Sequence, residues 1–284
     1  MTDRNKNLVT ENAWRSLRRY TDARIGLGRA GISLPTSELL TFQLAHAQAR
    51  DAVHFPLDVN RLVDDLNTRD AAITANTPLL LHSQAEDRFT YLQRPDLGRR
   101  LSEPDRERLT ARLDPDAPAP DLAIVVVDGL SSSAVQRNVA PFLARFLDAL
   151  AHEPRDWQLA PLTIVQQGRV AIGDEVGELL KARIVVVLIG ERPGLSSPDS
   201  LGIYLTFAPQ ACLSDARRNC ISNVRPAGLD FEHASQRLLY LIREADRLKL
   251  SGVGLKDRTE EVVIENQQTN NNFLTNGINS GECK

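Results

Sequence analysis

No stretch of this chain approaches the roughly 18 consecutive apolar residues that a membrane-crossing helix needs. The polar opening MTDRNKNLVTENAW has no apolar centre of the kind a secretory signal carries. An intracellular protein with no membrane role is therefore expected. Cysteine is scarce: Cys212, Cys220 and Cys283 are the only three, too few and too unevenly spaced for a disulfide framework or a zinc site. His46, His54, His82, His152 and His233 are scattered, so no metal centre belonging to this chain alone is expected. Charge of one sign is lacking too. Against 34 Lys and Arg stand 37 Asp and Glu, a net of -3, and a protein built to grip a nucleic-acid backbone carries a marked basic excess instead. No Walker A ending occurs. RIGLGRAG, residues 24–31, is glycine-rich but lacks both the dinucleotide spacing and a preceding strand.

What is present is a globular chain of 284 residues, 42% of them apolar, arranged in regions of different pattern. After a flexible N-terminus (1–10), residues 11–120 are expected to form a smaller, mainly helical domain. Helices are predicted over 12–23 (Trp14, Leu17, Tyr20 at helical spacing), over 37–53 with Ser37 as N-cap, and over 58–66 with Asp58 as N-cap. DPDAPAP, residues 114–120, is a stiff linker and the candidate boundary. From 121 to 255 strand and helix patterns alternate. LAIVVVDG, LTIVQQ, the IVVVLIG run and LGIYLTFAP read as strands, with helices over 133–150, 175–182 and 231–250. The expected class is α/β: a Rossmann-like or flavodoxin-like, mostly parallel sheet after a helical N-terminal domain. Residues 256–284, with three consecutive asparagines, read as a disordered tail.

In such a sheet ligands sit beyond the carboxyl ends of the strands, which selects a few loops. DGLSSS (128–133) joins a strand to a helix and is either a phosphate- or amide-binding turn or a plain N-cap. GERPGLSSPDS (190–200) puts Glu191 directly after an apolar strand, as a ligand acceptor or as a local partner of Arg192. GRV (168–170) offers Val170 either to a flat apolar ligand or to the core. DARRNCISNVRP (215–226) is a polar loop holding Cys220. A lone cysteine with no basic partner in view is no nucleophile candidate. RPDLGRRL (94–101) is either a docking segment or a solvated basic loop.

RIGLGRAG, HAQARDAV, RPDLGRRL, VVDGLSS, GRV, GERPGLSSPDSL and RNCISNVRPAG, in this order, resemble the ethanolamine ammonia-lyase small subunit over residues 11–256. The resemblance implies a lyase subunit that pairs with a large catalytic subunit in a higher hetero-oligomer, with adenosylcobalamin between the two. The reaction it implies is a radical conversion of ethanolamine to acetaldehyde and ammonia. It also implies three cobalamin contacts, Val170, Glu191 and Cys220, and no catalytic acid or base on this chain. No histidine stands in a D-x-H-x-x-G pattern, so the cofactor is expected base-on. The implied location is cytoplasmic, or within a bacterial microcompartment as for relatives with a targeting leader. The Asn-rich tail matches nothing in the family. Two other classes stay open on the residues alone: a stand-alone α/β enzyme holding a nucleotide or phosphate at DGLSSS, and a structural partner that never touches a cofactor.

Overall fold

A computed structural model describes residues 8–69, 77–112 and 118–257. Residues 1–7 of the expected flexible N-terminus, residues 114–117 of the 114–120 linker, and residues 258–284 of the tail, with Cys283, lie outside the described residues.

The elements run α1 (Thr36–His54), α2 (Val59–Arg69), β1 (Leu79–His82), α3 (Arg88–Gln93), α4 (Glu103–Arg112), β2 (Leu122–Val127), α5 (Ser132–Ala151) and β3 (Thr163–Gln166). They continue with α6 (Ile172–Leu179), β4 (Ile184–Gly190), β5 (Leu201–Phe207), β6 (Asn219–Val224) and α7 (Phe231–Leu248). The strands form one six-stranded sheet in the order β1-β3-β2-β4-β5-β6. Its layers follow from strand periodicity. Leu122, Ile124 and Val126 face a core built with Phe142 and Phe146 of α5, Leu238 and Ile242 of α7, and Leu62 and Leu66 of α2. Ala123, Val125 and Val127 face a second core with Ile172 and Val176 of α6 and Leu109 of α4. Burial on both faces is why β2 and β4 are apolar at almost every position. Ser131 caps α5, its Oγ accepting from Ala134 N at 3.2 Å, and Asp230 caps α7 through His233 N at 2.9 Å.

The α/β class holds, and the sheet is mixed. β1, β3, β2 and β4 are mutually parallel, while β5 and β6 are antiparallel to their neighbours. The reason is connection length. The loop from Gly190 to Leu201 is a hairpin-like return, and a parallel crossover needs a dozen residues and a helix. The stretch read as a polar loop around Cys220 is strand β6. Strand β1 comes from the region read as helical: Leu79 pairs with Thr163 and Leu81 with Val165, so the N-terminal region contributes an edge to the sheet. The helix predicted over 12–23 is a 3-10 helix, Ala13–Arg19, with Trp14 67% and Tyr20 73% exposed. Its periodicity points at solvent rather than at the core. Helix α1 begins at Thr36 after Pro35, with no side-chain cap from Ser37, whereas Asp58 does cap α2 by accepting from Arg61 N at 3.0 Å. Helix α6 starts at Ile172, closer to the GRV turn than predicted.

Candidate functional site

Without β1, the order β3-β2-β4-β5-β6 is that of the flavodoxin-like sheet, whose switch point lies between the first and third strands. Here that is the cleft between β2 and β4, both reached by one chain end each: Asp128-Gly129 after β2, and Gly190-Glu191 where β4 stops. Two glycines make the approach possible. Gly129 has φ +60, and a Cβ on it would lie 2.3 Å from the Gly190 oxygen; a Cβ on Gly190 would lie 2.0 Å from the Ser131 oxygen. Leu130 N donates to Gly190 O at 2.9 Å, closing the turn.

Asp128 is buried at the foot of the cleft. Its carboxylate accepts from Gln167 N at 2.8 Å and Gly168 N at 3.1 Å, and Arg88 Nη1 lies 3.8 Å away. Burial pushes its carboxyl above the usual range, opposed first by Arg88 and then by the backbone N–H groups. These bonds hold Gln167 at φ 56 and so fix the turn that presents Arg169 and Val170. Arg169 N donates to Gly98 O at 2.7 Å, which ties RPDLGRRL to the same turn.

Glu191 does not pair with Arg192 to hold its place. Its Oε2 accepts from the Ser200 hydroxyl and from Asn223 N at 3.2 Å, so the carboxylate bridges the loop after β4 and strand β6. Cys220 sits opposite Tyr204 in the β5–β6 register and hydrogen-bonds with it. The protein packed around the sulfur raises the thiol, Tyr204 pulls the other way, and the Glu191 carboxylate raises it further. A thiol raised in this way is a weaker nucleophile source than a free cysteine at neutral pH.

Val170 and Glu191 line one cavity of about 390 Å³, together with Tyr91, Leu130, Arg169, Ile189, Gly190, Arg192 and Tyr204. Cys220 is one residue removed, behind Tyr204. The structure brings Val170 and Glu191 to one cavity at the end of the sheet, whereas Cys220 lies on edge strand β6 opposite Tyr204 and does not line it. Tyr91 and Tyr204 were not nominated. Tyr91 lies on α3 with no motif around it, and Tyr204 reads as an ordinary strand residue. Two larger hollows lie elsewhere. One, about 640 Å³, surrounds Trp157 near the start of β3; the other, about 570 Å³ between α2 and α5, touches Ser132 and Ser133 but none of the three residues. On the other side of the DGLSSS helix start, Ser131 Oγ donates to Pro198 O at 2.9 Å, and Asn138 Nδ2 to Asp199 O at 2.7 Å. Among the described residues no group of His, Cys, Asp and Glu could hold a metal ion, and no helix is long and apolar enough to cross a membrane.

The family model "Ethanolamine ammonia-lyase light chain (EutC)" matches residues 11–256. The chain belongs to the ethanolamine ammonia-lyase light chain family. Its similarity to members of that family extends over nearly its whole length. It is 57% identical to the ethanolamine ammonia-lyase small subunit of Pseudomonas putida (strain W619), over 93% of this chain and 96% of that one. It is 57% identical to that of Azotobacter vinelandii (strain DJ / ATCC BAA-1303), over 93% and 95%, and 54% identical to that of Ralstonia nicotianae (strain ATCC BAA-1114 / GMI1000), over 90% and 93%. The light-chain match takes in every element of the sheet and every residue of the cleft between β2 and β4.

Proposed function

We propose that this chain is the small subunit of an adenosylcobalamin-dependent ethanolamine ammonia-lyase, a carbon–nitrogen lyase, and that it completes a cobalamin site at its interface with a large catalytic subunit. The observation that carries the reading is the meeting of Val170 and Glu191 in one cavity at the switch point of the sheet, with Tyr204 in its lining and Cys220 beyond it on β6. The lining suits a corrin, which is a broad apolar plate fringed with amides. Leu130, Val170 and Ile189 offer apolar contact, Glu191 an acceptor for amide N–H groups, and Arg169 and Arg192 donors for amide carbonyls. A cavity of about 390 Å³ holds only an edge of so large a molecule, which fits a cofactor shared between two subunits. When bound base-on, the cofactor supplies the radical that starts the rearrangement. This chain's residues bind and orient it, and no acid or base is assigned to them. The competing phosphate-binding reading loses the Ser131 hydroxyl and the Asn138 amide, both already bonded to the 198–199 segment.

The partner would dock on the N-terminal face. Leu39, Leu40, Phe42 and Leu44 of α1 are 39–59% exposed, and Trp14, Tyr20 and Ile32 beside them 67–106%. An apolar surface of this kind marks an interaction site, and the relatives named above are called small subunits, so a large subunit is the fitting occupant. Leu40→Asp combined with Trp14→Asp is expected to weaken assembly at least tenfold, read by co-purification and analytical ultracentrifugation, because buried anchors contribute on the order of 2 kcal/mol each. Unchanged assembly would move the interface elsewhere.

The function itself is tested by acetaldehyde release from ethanolamine, with this chain, a cognate large subunit and adenosylcobalamin, each omitted in turn. Activity should need all three. Glu191→Ala is expected to raise the cobalamin dissociation constant of the assembled enzyme roughly tenfold, the loss of one charge-assisted hydrogen bond. A purely structural partner would show no change.

A further inference from the structure

We propose that the hollow around Trp157 is a second ligand site, which takes a small organic cation: an apolar ring or short chain carrying one protonated amine or guanidine. The hollow holds about 640 Å³ and lies beside the starts of β2 and β3, at the end of the sheet away from Val170 and Glu191. Its walls are apolar side chains that are otherwise buried: Leu143 and Leu150 of α5, Trp157, and Leu162 ahead of β3. The loop that closes it, between α5 and β3, is pinned rather than slack. Asp121 N donates to Gln158 O at 2.8 Å, and Ala160 N to Leu122 O at 2.9 Å. Arg155 lies over the Trp157 ring at 4.5 Å while bonding Asp121 at 2.9 Å, and Arg243 Nε donates to Glu153 at 2.7 Å. Protein interiors close up around apolar side chains. A firmly tied loop that leaves this much room is therefore a pre-formed site, and its size and lining are those of small-molecule pockets.

The charge of the occupant follows from the residues at the mouth. Four charged residues line the hollow: Asp148, Glu153, Arg155 and Asp156. Glu153 and Arg155 are already held in ion pairs, with Arg243 and with Asp121 and Asp246. Asp148 and Asp156 are exposed and make no ion pair among the described residues; Asp156 accepts only from the Gln158 amide, at 3.2 Å. Asp148 also stands in the last turn of the 20-residue α5, where the helix dipole is negative. Two carboxylates without counter-ions and a helix C-terminus all favour a cation. Leu159, 44% exposed, is the one strongly exposed large apolar side chain in the lining. Apolar surface thus lies inside the hollow and charge around it, which suits a molecule that enters. A docked protein would need an apolar area spread across the surface. Ethanolamine is too small and too polar to cover these walls, so the site is distinct from one for the substrate.

The probes are phenylbutylamine, protonated at neutral pH, and two molecules of the same body, neutral phenylbutanol and anionic phenylbutyrate. Each is titrated calorimetrically into the full chain alone and into its assembly with the large subunit, where ethanolamine saturates the substrate site. Variants are compared after circular dichroism confirms their fold. The amine should bind roughly fivefold more tightly than the alcohol, and the acid more weakly than the alcohol, since two partly exposed carboxylates contribute about that much. Asp148→Asn combined with Asp156→Asn should bring amine and alcohol within about twofold of each other. Ala151→Phe, at an exposed position in the lining, should weaken both at least about tenfold by filling the space. Equal binding of amine and alcohol to wild type would overturn the assignment, as would binding that Ala151→Phe leaves unchanged or no binding of any probe. Probes that bind the chain alone but not the assembly would show that a neighbouring subunit fills the hollow, and would overturn it too. None of these outcomes depends on cobalamin, so the site stands or falls apart from the cofactor reading.

Discussion

Arg218→Ala is expected to destabilise the protein by about 3–5 kcal/mol and to loosen the strand that carries Cys220. Arg218 is 8% exposed and precedes β6 directly. Its guanidinium donates to Asp174 from Nε at 3.0 Å and from Nη2, to Leu213 O at 3.0 Å, and to Asp215. Asp174, on α6, is 1% exposed, so the pair fastens the start of β6 to the helix behind the GRV turn. Alanine would leave a buried carboxylate without its counter-ion. Burial raises the Asp174 carboxyl even in the wild type, where Arg218 opposes the rise. Without Arg218 it rises further, and the pH dependence has a definite sign. A carboxyl whose folded pKa lies above its unfolded value favours the fold below the unfolded value, and that contribution is lost as pH climbs through the folded one. The deficit of the variant should therefore be small near pH 4 and grow toward pH 7. Urea unfolding of the subunit at both values measures it; a deficit independent of pH would mean that Asp174 finds another partner.

Gly190→Ala should also be destabilising and should strike the site directly. Its Cβ would enter the space of the Ser131 oxygen at 2.0 Å and come within 2.7 Å of the Asp128 oxygen. Both obstacles are backbone, which cannot rotate away as a side-chain tip can. Overpacking of this kind costs about 1–3 kcal/mol and occasionally more, and here relief means parting the turns after β2 and β4. The expected result is a melting temperature lower by roughly 5–10 °C, with weaker cobalamin binding because Glu191 moves with Gly190. Gly194→Ala is the control. Its nearest obstacle is the Ser197 hydroxyl at 2.7 Å, a side-chain atom that can turn aside, so a shift below about 2 °C is expected. Equal melting temperatures for the two variants would show that the turns are not in the contact described.

The parts of the fold that could be foreseen were those where one physical signal had no rival. β2 and β4 are apolar throughout because both faces are covered, and α7 shows its buried stripe of Leu238, Ile242 and Ala245 at helical spacing. β1 could not be foreseen: LLLH is as short and apolar as a fragment of helix, and periodicity does not separate the two. The direction of β5 was hidden for another reason. A strand's side chains alternate alike whichever way it runs, so only the length of the return from Gly190 carries the information. Strand β6 has just Ile221 and Val224 buried, too few for a pattern. The 12–23 segment failed in reverse: Trp14, Leu17 and Tyr20 keep helical spacing but belong to an exposed surface. For the site, the loops were located by the switch-point rule, while the choice of Val170, Glu191 and Cys220 within them came from the resemblance. Tyr91 was invisible because it reaches the cavity from α3, across more than 70 residues of chain, and no local pattern encodes that.

The parallel pairing of β1 with β3 also imposes a schedule on synthesis. A ribosome adds about 5–20 residues per second, so His82 emerges several seconds before its partner Gln166 exists. During that interval Leu79 and Leu81 have no sheet to join, Arg88 has neither Gly129 nor Gln167 to bond, and the apolar side chains of α1 are bare as well. The nascent amino-terminal third thus carries an unpaired strand and bare apolar side chains until β2 and β3 arrive.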